Sequence, residues 1–168
     1  MNDIRFDFDE LKTLQAQMAS APGVVSEEID RAVTEADLML EREIKDAWPV
    51  ASGTSRASFT HVERVNGLAV EGFVGSSLGY VQPVDLGTRP HFPPVDALID
   101  WVRQKLGIAN ERQARGVAFL IARKIARTGT KGAHVFETVL GRLAPQFERI
   151  FSAAQDRIAA RVGIGGAA

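Results

Sequence analysis

The 168 residues carry 20 basic and 21 acidic side chains, a net charge of −1, no cysteine and 45% apolar residues. That is the composition of a folded chain able to bury a sizeable core, and it excludes disulfides, thiolate zinc sites and a cysteine nucleophile. No apolar run approaches 18 residues and the acidic start MNDIRFDFDE does not read as a signal peptide, so neither a membrane span nor export is expected, and synthesis is expected in the cytoplasm.

The charge is unevenly placed. Residues 1–46 hold twelve acids against five bases, a net −7, whereas Trp101 to Gly132 holds eight bases against Glu111 alone, a net +7. Such polarity fits contact with nucleic acid, or an acidic face on one copy meeting a basic face on the next, or pairing of solvated helix faces within one chain.

In chain order, Phe6, Phe8, Leu11, Leu14 and Met18 predict a short amphipathic helix over 3–20, ended by Pro22 and Gly23. A second helix is expected to open at Ser26 as N-cap, with Glu27 and Glu28 in its first turn on a solvated face. Its apolar stripe is Ile29, Val33, Ala36, Leu40, Ile44 and Trp48, and Pro49 stops it. Ser52 to Ser58 is small and polar and reads as a loop or the entry to a strand. Phe59 to Val65 and Leu68 to Val74 then predict a hairpin about Asn66-Gly67, with one face packed on the preceding helix.

Tyr80 to Pro94 holds four of the seven prolines and reads as a stiff, extended connector, because each proline fixes its own φ and keeps the residue before it out of the helical region. It offers Tyr80, Arg89, His91 and Phe92 as a candidate partner-binding edge. Alternatively it is a structural crossover with Phe92 in the core. A helix over Pro94 to Leu106 follows, with Leu98, Trp101, Val102 and Leu106 inward and Gly107 at its end. Asn110 and Gln113 predict a capping box for a helix burying Ala114, Val117, Ala118, Ile121, Ala122 and Ile125, with Gly129 as its C-cap. The last helix runs from about His134 to Val162, with a break or kink expected at Pro145, and residues 163–168 are expected to be disordered. The result is a single α+β domain over 1–162: a long N-terminal helix on a small antiparallel sheet, then C-terminal helices.

Chemistry is hard to place on this chain. Arg127 to Gly132 offers amides and two cations, but it follows a helix rather than a strand and lacks the spacing of a phosphate loop. No nucleophile elbow occurs, and His61, His91 and His134 have no ligand spacing. No catalytic, cofactor or metal site is expected. The cations Arg112, Arg115, Arg123, Lys124, Arg127 and Lys131 partly share a helix face, without aromatic residues for stacking, and are the candidate basic surface for DNA or for another subunit.

The order of elements resembles the small tail-component, neck and tail-completion proteins of long-tailed bacteriophages and gene transfer agents. That family shows a long N-terminal helix, a P-x-x-T-G-x-L-x-x-S stretch, strands, and a Y-x-x-x-x-E-x-G-T segment before prolines. Pro49 to Ser58 is similar to the first stretch and Tyr80 to Thr88 to the second. Trp101 and the run Ala118 to Gly132 also resemble the family's longer members, so the likeness covers about 25–145. Departures are Gly53-Thr54 in inverted order, Ser55 near the expected leucine, and Asp85 with Leu86 in place of the usual acidic spacing. The resemblance implies an α+β virion protein without catalysis, forming a homo-oligomeric ring at the head-tail junction or tail top. Its partners would be a head connector or stopper, a tail terminator or the tail tube, with DNA in the lumen. The alternative is a non-catalytic nucleic-acid-binding module using the basic helices over 101–132.

Overall fold

The long apolar stripe and the paired β-rich runs fold into an α+β structure dominated by helix. The computed structural model describes residues 9–49, 53–66 and 69–163, side chains at 9–18 and 20 excepted. In chain order they form α1 (Asp9–Ala47), α2 (Thr54–Ala57), β1 (Phe59–Asn66), β2 (Ala69–Ser76), α3 (Val81–Leu86), β3 (Gly87–Thr88), α4 (Val95–Leu106), α5 (Glu111–Thr128), β4 (Thr130–Lys131) and α6 (Val135–Val162). Among the described residues, β1 pairs with β2 and β3 with β4 in two separate ribbons. The chain divides into two compact units, one of residues 1–39, 61–73 and 143–168, the other of 40–60 and 74–142.

In the first unit α1 and α6 meet through small side chains. Ala32 and Ala36, one turn apart, share a core with Ile150 and Ala154, one turn apart, and Met39 and Phe147 pack against it. Short side chains at i, i+4 leave grooves into which the facing helix's ridge fits. The hairpin lies against α1 here as expected: the Asp37 carboxylate occupies the space a Cβ on Gly72 of β2 would need.

Pro22 was expected to end a helix and Pro145 to break or kink one, and the helix continues through each. Pro22 lies inside α1, so Pro22-Gly23 is no terminus and Ser26 no N-cap. Pro145 lies inside α6. Each proline loses a backbone donor and crowds the carbonyl four residues back, a cost of roughly 3 kcal/mol in a helix interior. Long-range packing outweighs it. Buried Leu143 and Ile150 flank Pro145, and the turn after Pro22 carries Glu28, which two arginines of α6 hold. Glu28 is therefore 4% exposed, not on the solvated face expected for it. Phe6, Phe8, Gly67, Leu68 and residues 164–168 lie outside the described residues, and with them the first aromatic pair, half of the predicted turn and most of the predicted tail.

The second unit is centred on aromatic rings. Trp48 after α1, Phe59 at the start of β1 and Phe136 in α6 stand edge to face with centroids 4.7, 5.9 and 6.0 Å apart. The polar stretch before β1 is not all loop, since Thr54–Ala57 makes one helical turn. Nor is Tyr80 to Pro94 extended throughout: Val81–Leu86 is helical. Pro83 is tolerated there because it falls in the first turn, where its missing N–H would have had no partner within the helix. α4 and α5 form a hairpin whose core is Val102, Ala114 and Ala118, flanked by Leu98, Val117 and Ile121. The Asn110 cap is as predicted, its side chain accepting from the Gln113 N–H at 3.0 Å. Trp101 and Leu106, expected inward, are exposed.

Candidate docking surface

Two short stretches far apart in sequence, Val84 to Thr88 and Gly129 to Val135, lock together backbone to backbone. β3 and β4 are antiparallel, with Gly87 opposite Lys131 and Thr88 opposite Thr130. The Thr88 and Thr130 hydroxyls lie 3.0 Å apart, the Ala133 N–H donates to the Val84 carbonyl at 3.0 Å, and the His134 N–H donates to the Asp85 carbonyl at 2.9 Å. Buried Asp85 then accepts from the Val135 N–H at 2.6 Å and the Phe136 N–H at 3.4 Å. Those donors open α6, so a carboxylate from another part of the chain takes the place of a local N-cap and sits at the positive end of the helix dipole. Gly87 and Gly129 both have positive φ, 79° and 68°, and a Cβ on Gly129 would overlap the Thr88 carbonyl oxygen. Gly87 and Thr88 belong to the stretch similar to Y-x-x-x-x-E-x-G-T, from which Asp85 departs. Their work in the structure is to build this clasp.

The clasp sets where the next residues go. Arg89, His91 and Phe92, directly after β3, are all exposed, which removes the alternative of Phe92 as a core residue. The His91 Nδ1–H donates to the Arg89 carbonyl at 3.0 Å, fixing the ring's orientation. Phe92, 55% exposed, meets Phe119 of α5, 49% exposed, edge to face at 6.1 Å. Tyr80 is exposed too, but the six residues of α3 separate it from β3.

All six candidate cations are exposed. On α5, steps of three and four residues line up Arg112, Phe119, Arg123 and Arg127 along one outward ridge, with Arg115 on one flank and Leu120 and Lys124 on the other. Arg115 pairs with Asp96 at 3.2 Å, and the other five cations make no ion pair among the described residues. Phe119 and Leu120 were missed as surface residues. The sequence does hold the signal for Leu120, which falls opposite the buried Ala114, Ala118 and Ala122, whereas Phe119 stands at the side of that stripe. Behind the ridge an apolar groove of about 670 Å³ runs between α4, α5, α3 and β4, with Trp101 in its wall.

The first unit holds two buried carboxylates. Glu28 accepts from Arg157 at 2.6 Å and Arg161 at 2.8 Å, while Arg161 also reaches Glu27 at 2.7 Å. The two guanidinium hydrogen bonds hold the Glu28 carboxyl below the ordinary glutamate range. Asp37 is the opposite case. Its Oδ2 has no hydrogen-bond partner, and burial, helped by the nearby Glu63 charge and partly offset by His61, pushes its carboxyl up. A raised value means that the folded chain keeps this proton longest, so Asp37 favours folding at acid pH and that support is lost as pH rises through the raised value. For Glu28, support is complete above the ordinary range and is lost as pH falls through the lowered value. Asp37→Asn is therefore expected to stabilise the protein by about 1 kcal/mol at neutral pH and by little in acid. Thermal melts of both proteins between about pH 4 and about pH 8 check it, and melting curves that shift in parallel across that range would refute the assignment.

Among the described residues no group of three or more His, Asp or Glu side chains is placed to hold a metal ion, and no helix is long and apolar enough to cross a membrane. Comparison with protein-family models, with curated proteins and with solved structures finds no match to this chain.

Proposed function

We propose that this chain is a structural subunit of a phage-type virion, without catalysis, that assembles as a ring at the neck or tail top and joins the tail to the head. It is made in the cytoplasm of a bacterial host and ends in the particle, against a head connector or stopper on one side and a tail terminator or tail tube on the other. The observation that carries this reading is the clasp, which holds Arg89, His91 and Phe92 exposed and in fixed relation to the α5 ridge. A docking edge built on rigid backbone loses little conformational entropy when a partner covers it.

The test is electron microscopy of particles assembled with the wild-type gene, without it, and with Arg89→Glu/Phe92→Ser. Both substitutions are at exposed positions and are expected to leave the melting temperature within a few degrees of wild type. Filled heads beside separate tails, in the deletion and in the double variant alike, are the expected result. Intact particles from the deletion would remove the function, and intact particles from the double variant alone would move the contact elsewhere.

A second reading is favoured by the α5 ridge, where Arg112, Arg123 and Arg127 stand free of ion pairs among the described residues, beside an exposed phenylalanine. This arrangement suits sequence-independent contact with DNA phosphate and with unstacked bases. Retention on duplex DNA that falls steeply with salt would support it, and no retention at ~50 mM salt would end it.

A further inference from the structure

The groove between α4 and α5 has a distinct chemistry. Leu98, Trp101, Ile121 and Ile125 give it apolar walls, and Lys124 and Lys131 stand at it without an ion pair among the described residues. Trp101 is 40% exposed, a large ring left on the surface of a protein whose other tryptophan is buried. A matching occupant has to bring apolar side chains at close, regular spacing together with carboxylates. The chain itself contains such a segment. In Asp3-Ile4-Arg5-Phe6-Asp7-Phe8, followed by Asp9 and Glu10, apolar and charged residues alternate strictly from Ile4 to Asp9. In place of the helix expected over 3–20, which begins at Asp9, an extended segment with that alternation presents Ile4, Phe6 and Phe8 on one face and Arg5 and Asp7 on the other.

We infer that residues 3–8 of one copy dock into the α4–α5 groove of the next. Phe6 and Phe8 enter beside Trp101, and Asp7, on the outer face, meets Lys124 and Lys131, whose long stems lie along apolar surface while their ammonium groups reach outward. Six residues in extended form span about 20 Å. The inference rests on the ring reading. Aromatic side chains seated in a desolvated groove are the residue type that dominates interface energy.

Full-length protein carrying a benzoylphenylalanine photocrosslinker at position 6 tests this, with isotopically light and heavy chains mixed before irradiation. Self-association of the wild type, of Phe6→Ser/Phe8→Ser and of Lys124→Glu is followed in parallel by sedimentation up to the highest soluble concentration and in purified particles. Circular dichroism verifies that each variant is folded. The expected result is light-to-heavy crosslinks into peptides of α4, α5 and β4, with the self-association constant weakened about 30-fold in the double variant. The charge swap Lys124→Glu/Asp7→Lys is expected to recover part of the loss from Lys124→Glu. Oligomers that persist unchanged in Phe6→Ser/Phe8→Ser would overturn the docking while leaving the ring intact. Crosslinks confined to chains of one isotope would instead place the segment on its own subunit and overturn it too. A chain that stays monomeric both in solution and in particles would overturn the docking and the ring together.

Discussion

Gly129→Ala is expected to cost on the order of 3–5 kcal/mol and to open the second unit. Gly129 has φ 68° and ψ −161°, a region that side-chain-bearing residues enter only under strain. The added Cβ also has no room, because the atoms it meets are the Thr88 carbonyl and the Arg89 backbone, which cannot rotate aside as a side chain would. Relief requires β3 and β4 to part. Parting them breaks the ladder at Thr88 and Thr130 and pulls Asp85 from the first N–H groups of α6, leaving buried polar groups unpaired. Gly116→Ala is the control. Gly116 lies within α5, a methyl group added there would meet nothing within 4 Å, and alanine is expected to stabilise by about 0.5–1 kcal/mol. Chemical denaturation of the two variants should move the midpoint in opposite directions. Equal, small effects would mean that the clasp does not bear on stability.

Phe59→Ala is expected to cost about 3–5 kcal/mol. Phe59 is fully buried between Trp48 and Phe136, and it joins the end of α1, the start of β1 and the first turn of α6. Truncation leaves a cavity lined by two large rings that have little freedom to collapse into it. The two tryptophans supply a local readout, since Trp48 is 2% exposed and Trp101 lies on the surface. In the wild type a polar quencher reaches one of two emitting populations. In Phe59→Ala the protected population is expected to become accessible well before the helical signal is lost. Retained protection of Trp48 would show that its burial does not depend on Phe59.

How far the fold was legible depended on how local its causes were. The stripe from Val33 to Trp48, the strand pair, the Asn110 cap and the alanine face of α5 follow from residues within a turn or two of one another, and they appear where the pattern puts them. Pro22 and Pro145 misled because a proline's cost is local, while the packing that outweighs it comes from distant residues. Glu28 is the plainest case: its partners lie 129 and 133 residues further along the chain, so nothing in the neighbourhood of Ser26 marks it for burial. The clasp was hidden for the same reason. Asp85 read as an acid in a proline-rich loop until the start of α6 was placed beside it. At the surface, the proline-flanked stretch left Phe92 open between an exposed edge and the core, and only the tertiary fold, in which it meets Phe119, decides for the surface.

The ladder of β3 and β4 also determines how the chain is threaded. The path leaves at Thr88, travels through α4 and α5, and returns at Thr130 to the residue it left opposite. Departure and return coincide, so everything from Arg89 to Gly129 is an excursion hung from one neck. Helices in such a loop are free to lengthen, shorten or change their surface without shifting the register of what precedes and follows, because the cost of closing the loop grows only slowly with its length. A chain arranged this way separates the ladder that fixes the path from the helices that hang on it, and the second can vary without disturbing the first.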